Sequence, residues 1–291
     1  MSPISRNDCV SLLGCGWLGL PVAEKLITAG LHVRGSTTHA SKLSVLSSLG
    51  IESLLMRIDP GTEEGWTPSE ATARFFDSAT MILGLPPQAA LGEEHFTSQV
   101  ETILARRGRS SFEHLVFISS TSVFGAKQGS VDETTLPKPD SEAGIILAKV
   151  EQRLVAAAGE QGFRLTIVRP GGLIGPGRHP GLFLAGRKNA KDPESPINLI
   201  HQMDCAEAVA TLVRDTDGLA TGESRTFNLV SDRHPTRREF YTRASQAVGV
   251  EAPEFSPQTE DSADKVVQSA RIRTLMQFEF DDLLASMGAK T

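Results

Sequence analysis

The chain has 291 residues, 40% of them hydrophobic and 22% charged, which excludes an unfolded, highly charged polymer. A formal charge of −6 excludes a general nucleic-acid surface, which needs clustered Lys and Arg; Arg106, Arg107 and Arg109, set among Gly108 and Ser110, read as a solvated loop. No stretch is apolar for long enough to cross a bilayer as a helix, so no membrane partner is expected.

The polar lead-in Met1–Asp8 lacks the basic start and apolar run of a signal peptide and reads as a disordered tail. Cys9, Cys15 and Cys205 lack metal-ligand spacing and read as reduced thiols, so the expected compartment is the cytoplasm and no metal is expected.

Cys9–Leu13 is a compact apolar run suited to a strand covered on both faces. Leu20–Ala29 reads as a helix, with Pro21 in its first turn and Gly30 as its stop. Strands are expected at Leu31–Ser36, Ser53–Ile58, Thr80–Leu85, His114–Ser119 and Leu165–Arg169, and helices at Ser41–Leu49, Phe96–Ala105 and Ser141–Ala158. Strand–helix units of this length need crossover connections and a mostly parallel sheet. The fold class is therefore α/β, a doubly wound Rossmann sheet with a smaller C-terminal substrate lobe.

Residues 170–196 are rich in Gly, Pro and basic side chains and read as a segment crossing into that lobe. The expected boundaries are 1–170 for the sheet domain and 171–291 for the lobe, with 197–225 returning to the sheet. The lobe is expected to hold Thr226–Val230, a helix at Thr236–Val248 and another near Ala270–Gln277.

Gly14-Cys15-Gly16-Trp17-Leu18-Gly19 is a G-x-G-x-x-G directly after an apolar strand and at the start of a helix. In that setting Gly14 permits the tight turn, Gly16 lets a pyrophosphate approach the backbone, and Gly19 lets helix and strand pack closely. The helix N-terminus then holds the phosphates through backbone N–H groups. Trp17 reads as a shielding group and Leu18 as part of the loop's contact surface. Cys15, beside the phosphates, is a candidate redox-sensitive thiol.

A carboxylate at the end of the second strand would bind the ribose 2′-hydroxyl of NAD. Here Ser36, Thr37, Thr38 and His39 stand instead, with Arg34 and Lys42 nearby, a set that suits a 2′-phosphate. NADP is therefore expected in preference to NAD.

With these motifs in hand, the chain resembles the extended short-chain dehydrogenase/reductase superfamily, and most of all its atypical bacterial members of the NAD-dependent epimerase/dehydratase type. Ser119-Ser120-Thr121-Ser122-Val123-Phe124-Gly125 resembles the family's Ser/Thr-rich turn ending in Val-Tyr-Gly. Glu133, Pro137 and Pro139 resemble the approach to its active-site helix. Arg169-Pro170 with Gly175-Pro176-Gly177 resembles the segment passing the nicotinamide, and Ile200-His201 with Asp204 a strand-to-helix signature.

The resemblance implies Ser120 as a substrate-binding hydroxyl and Lys149 as the lysine holding the nicotinamide ribose. It also implies that Asp59 bonds the adenine and that Leu85-Pro86-Pro87 runs beneath the cofactor. The family's proton-transferring Tyr stands four residues before the Lys, on the same helix face. Here that position is Ile145, and the chain's single tyrosine is Tyr241.

Three consequences compete. The protein is an enzyme with another proton carrier, namely Ser120, Thr121, His179 or a buried, pKa-depressed Lys149. Or it is a non-catalytic NADP-binding sensor. Or it uses the dinucleotide only for stability while binding a metabolite or protein. Tyr241 and His201 read as packing groups. The expected partner is a small-molecule substrate or effector in a cleft outside the strands' C-terminal ends, bordered by Ser120, Thr121, Lys149, Pro170 and His179. An oligomer is compatible with the sequence.

Overall fold

The structure is a computed structural model describing residues 5–60, 69–87, 92–107, 112–260 and 262–275. Gly108, Arg109 and Ser110 of the expected basic loop lie outside the described residues, as do Met1–Ile4 of the lead-in and Met276 and Gln277 of the expected last helix. Arg6–Asp8 of the lead-in forms a short 3-10 turn, and the Arg6 carbonyl accepts from Ala79 N–H, so this part is ordered against the fold.

The strands of the first half are β1 (Cys9–Leu13), β2 (His32–Thr37), β3 (Glu52–Leu55), β4 (Thr80–Leu83) and β5 (His114–Ile118). They alternate with α1 (Gly19–Thr28), α2 (Leu43–Ser48), α3 (Glu70–Phe76) and α4 (Gly92–Arg107). β6 (Ser130–Val131), α5 (Glu142–Gln161), β7 (Arg164–Pro170), β8 (Gly172–Ile174), β9 (Leu199–His201), α6 (Gln202–Arg214) and β10 (Ser224–Leu229) follow. The described chain closes with α7 (Arg237–Ala247), β11 (Val266–Val267) and α8 (Ala270–Leu275). Sequence reasoning missed α3, whose seven residues are too few to display a helical period.

Seven strands form one sheet in the order β10-β7-β5-β4-β1-β2-β3. β1 pairs in parallel with β2 on one side and β4 on the other, the latter in the register Leu13↔Leu83. The order therefore reverses between β1 and β4, which is where open α/β sheets leave a crevice at their strand ends. Every residue of β1 is buried, Ser11 included, as expected of a strand covered on both faces. Helix α1 stops where Gly30 turns into left-handed backbone at φ 88°, a conformation costly for any residue with a side chain.

The chain divides into two compact units: residues 1–119, 145–168 and 206–226 in the first, and 120–144, 169–205 and 227–291 in the second. The chain changes units at 168/169, close to the expected 170, and 206–226 returns to the first unit; the departure from expectation is that 120–144 belongs to the second. Residues 120–144 join the second unit because β6 pairs with β11, and because Lys265 Nζ donates to the carbonyls of Thr121 at 3.1 Å and Phe124 at 2.8 Å. Partners 141 and 144 residues apart leave no local trace in a sequence. Two further expectations change. Ile197–His201 does not return to the large sheet, since β9 pairs with β8 in a separate two-stranded sheet. Thr226–Val230 was expected in the small lobe, yet β10 forms an edge of the large sheet.

Candidate functional site

The glycine loop lies at the reversal point. Gly14 has φ 105°, accessible to glycine but strained for other residues, and a Cβ there would press on the Gly84 carbonyl oxygen at 3.0 Å. A Cβ on Gly19 would collide with the Gly14 carbonyl oxygen, whereas Gly16 is exposed and has open space where its Cβ would stand. The loop is braced from below: Gly14 N–H donates to Ser36 Oγ at 3.0 Å, and Cys15 N–H to the Ser36 carbonyl at 2.8 Å. At the start of α1 the Leu18 position offers no side-chain cap; Leu20 N–H turns back to the Gly16 carbonyl at 3.0 Å, and Pro21 has no N–H to satisfy.

Beside this loop, within the first unit, is a cavity of about 480 Å³. Of the residues expected to hold a dinucleotide, Gly14, Gly16, Ser36, Thr37, Thr38, Lys42, Asp59, Leu85 and Pro86 line it. Trp17, Leu18 and Gly19 do not; Leu18 and Gly19 instead border a small cavity of about 40 Å³ with Leu12, Val22 and Val209. The Ser36 hydroxyl braces the loop as well as facing the cavity.

Arg57, Met56, Ile58, His95 and Gln99 also form the wall, and the sequence reading missed them. Met56–Asp59 follow β3, where Met56 N–H still reaches the Thr37 carbonyl at 2.9 Å, and Gln99 of α4 donates to the Ile58 carbonyl at 3.1 Å. The run Met56-Arg57-Ile58-Asp59 carried a usable signal, since it directly follows the third strand, the neighbour of β2.

Arg34 is removed from the phosphate-binding set. Its guanidinium bonds Glu52 Oε2 at 3.1 Å, the carbonyls of Arg74 at 2.8 Å and Asp77 at 3.0 Å, and Ser78 Oγ at 3.1 Å. Alternation along β2 turns Arg34 toward its neighbours, and Glu52 is held below the usual carboxylate range by hydrogen bonds from His32 and Arg34 that outweigh its burial. Cys15 also changes role. It is buried, and desolvation pushes its thiol up to about 12, so the reactive thiolate does not form near neutral pH.

Lys149 was expected to be buried. It is exposed instead, with its ammonium on both carboxylate oxygens of Glu93 at 2.7 and 2.8 Å. Ile145, one turn earlier on α5, is likewise 39% exposed. A neighbouring position of that helix carries a buried carboxylate: Glu151 accepts from Ser119 Oγ at 2.5 Å.

Pro170, Ser120, Thr121 and His179 belong to the second unit. Ser120 accepts Ser122 N–H at 3.1 Å, Thr121 is buried, and Pro170 is buried at the end of β7. His179 caps the turn Pro180–Leu182, its Nδ1 accepting Gly181 N–H at 3.1 Å, so the structure gives it a local structural task. A cavity of about 350 Å³ within this unit is lined by Ser120 and Thr121 together with Tyr241, Arg237 and Lys265. Tyr241 also packs in the unit's core with Phe240, Ile174 and Leu184, and its burial raises the phenol's pKa against the opposing influence of Arg237.

The sequence profile of the NAD dependent epimerase/dehydratase family matches residues 93–229. Protein YeeZ of Escherichia coli K12 is 32% identical over 272 residues, which is 93% of this chain and 95% of YeeZ. The chain belongs to this family.

The fold of this epimerase/dehydratase-family protein is shared with a UDP-glucose-4-epimerase (galE) from Stenotrophomonas maltophila, solved with bound NAD and formylated UDP-arabinopyranose. The two align with a TM-score of 0.78 at 16% identity, over 97% of this chain and 96% of that one. A functionally unknown conserved protein from Silicibacter pomeroyi aligns with a TM-score of 0.73 at 22% identity, over 97% and 99%. At such identities the likeness is one of fold. No helix among the described residues is long and apolar enough to cross a membrane, and no group of His, Cys, Asp or Glu among them could hold a metal ion.

Proposed function

We propose that this chain is an oxidoreductase or epimerase-like enzyme that binds NADP, in preference to NAD, in the cavity beside the glycine loop and acts on a small molecule. The observation that carries the reading is the cavity's charge pattern at the strand-order reversal. Lys42 and Arg57 face it, Thr37 and Thr38 supply hydroxyls, and no carboxylate stands at the end of β2. Two cations that hold no partner among the described residues suit a 2′-phosphate. Gly14, Gly16 and Gly19 fit the pyrophosphate, because one is left-handed, one is open and one allows no side chain. Asp59 is the acid of the wall and is assigned to the adenine end; Leu85 and Pro86 form the floor.

Bound there, the dinucleotide would supply a hydride acceptor or donor. The chain's residues supply the rest. Lys149 is assigned to the nicotinamide ribose, exchanging its Glu93 contact for ribose hydroxyls, an exchange that an exposed ion pair permits at low cost. Ile145 can move no proton, so that task falls to the Ser120 hydroxyl, whose oxygen takes Ser122 N–H while its own O–H has no partner among the described residues. Thr121 stands beside it.

The test is a fluorescence titration of the purified protein with NADPH and NADH, followed by nicotinamide absorbance in the presence of metabolite pools. NADPH should bind more tightly than NADH, a Gly16→Asp variant should lose both, and in the presence of substrate absorbance should fall for a net reduction, whereas an epimerisation returns its hydride and is read from the product. Failure of either nucleotide to bind would remove the proposal; binding without turnover across broad pools would remove its catalytic half.

A further inference from the structure

Seven histidines occur in the chain, and six of them commit a ring nitrogen to another group of the protein. His32 meets Glu52, His39 meets Thr38, His114 meets Thr166, His179 takes the Gly181 N–H, His201 the Met203 N–H, and His234 meets the Ile197 carbonyl. His95 is the exception. It is half-buried in the wall of the first unit's cavity, and neither ring nitrogen has a partner among the described residues. We propose that His95 is a further dinucleotide-binding residue, whose protonated imidazole meets a phosphate of the cofactor and so links binding to proton uptake. The inference rests on the dinucleotide reading of this cavity and adds to it a regulation by pH.

Contacts on both sides fix where His95 stands. It lies in the opening turns of α4, and Gln99, one turn further on, donates to the Ile58 carbonyl at 3.1 Å. That bond ties α4 to the run after β3 that carries Arg57 and Asp59. The spacing of four puts His95 and Gln99 on one face of the helix, and both line the cavity. Two residues before His95, Glu93 holds Lys149 of α5 through both carboxylate oxygens. The charged groups sharing the wall come from two other segments: Lys42 after β2, and Arg57 and Asp59 after β3. The glycine loop and the Leu85–Pro86 turn bring no charge to it. On α4 itself, Glu94 is adjacent and exposed, and Glu93 is committed to Lys149.

A neutral imidazole offers a phosphate one N–H. An imidazolium offers an N–H and a charge, and a hydrogen bond between ionised partners is about twice as strong as a neutral one. Histidine is the side chain that exchanges these two forms around neutral pH. A ligand that prefers the protonated form binds more tightly as the pH falls, and by the same linkage draws a proton onto the protein as it binds. Lys42 and Arg57 attract the dinucleotide at every pH in this range, so His95 is the group of the wall through which its affinity responds to pH.

The full chain and its His95→Gln variant are titrated with NADPH and with NADH at pH 6 and pH 8, at constant ionic strength. Gln keeps an N–H donor and does not titrate. Ionisation of the 2′-phosphate is common to both proteins and cancels in the comparison. From pH 8 to pH 6 the parent should gain about threefold or more in affinity beyond any gain of the variant. An extra gain with NADPH alone assigns His95 to the 2′-phosphate; one with both nucleotides assigns it to the pyrophosphate. In ¹³C-histidine spectra the signal missing from His95→Gln is that of His95, and at pH 7 it should move toward its protonated position when NADPH is added. Equal pH dependence in parent and variant, or a His95 signal that does not move that way, would overturn the proposal. Failure of NADPH to bind at either pH would remove the dinucleotide reading itself, and this inference with it.

Discussion

The carbonyl oxygen of Gly14 occupies the space that a Cβ on Gly19 would need. The turn leaving β1 and the first residue of α1 are therefore in contact backbone to backbone, which holds the helix N-terminus over the end of the strand. Gly16, between them, meets nothing.

These two glycines should thus fail in different ways. Gly19→Ala forces the loop off its position and should cost about 1–3 kcal/mol of stability, an overpacking penalty, visible as a lowered Tm without ligand. Gly16→Ala should melt like the parent yet bind NADPH at least several-fold more weakly, because the added methyl stands where a phosphate would approach. Thermal unfolding with and without NADPH separates the two. Equal Tm loss in both variants would contradict the division of roles.

The glycine loop was legible in the sequence because it is local: strand, turn and helix follow one another within twenty residues, and each glycine has a backbone reason. The parallel sheet was legible for the same cause, as apolar runs alternate with helix-length segments. What escaped is non-local. Nothing around Ser120 shows that Lys265 clamps the carbonyls of Thr121 and Phe124, so the place of residues 120–144 in the second unit was missed. Arg34 and Lys42 looked alike as cations near β2. Only the structure shows Arg34 committed to Glu52 and two carbonyls, while Lys42 faces the cavity. Arg57 was missed because its strand ends at Leu55, three residues earlier than the apolar pattern suggested.

Lys42 and Arg57 should set the choice between NADPH and NADH. Both are exposed on the cavity wall, so neither is needed for folding. A charge-assisted hydrogen bond to a phosphate is worth about 1.5–3 kcal/mol. Arg57→Ala or Lys42→Ala should accordingly weaken NADPH binding by roughly ten- to a hundredfold and leave NADH binding within about twofold. Parallel titrations of the two nucleotides read this directly. A variant that weakened both alike would place its side chain on a part the two cofactors share.

His114 should make the fold sensitive to mild acid. It is buried at the start of β5, with Nε2 2.9 Å from Thr166 Oγ1. Desolvation, followed by the nearby charges of Arg225 and Arg164, lowers its pKa from 6.5 to about 3. Below pH 6.5 the unfolded chain takes up a proton that the folded chain refuses, so stability is full above that pH and falls as the pH drops toward 3. The slope is up to about 1.4 kcal/mol per pH unit. Carboxylates contribute little above pH 5, so the window between pH 6.5 and 5 belongs to histidines, and His114 should account for a loss of about 2 kcal/mol across it. His114→Gln, which keeps a donor toward Thr166 and carries no titrating group, should lose far less over the same range in urea unfolding. Equal losses in the parent and in His114→Gln would move the acid sensitivity to other groups.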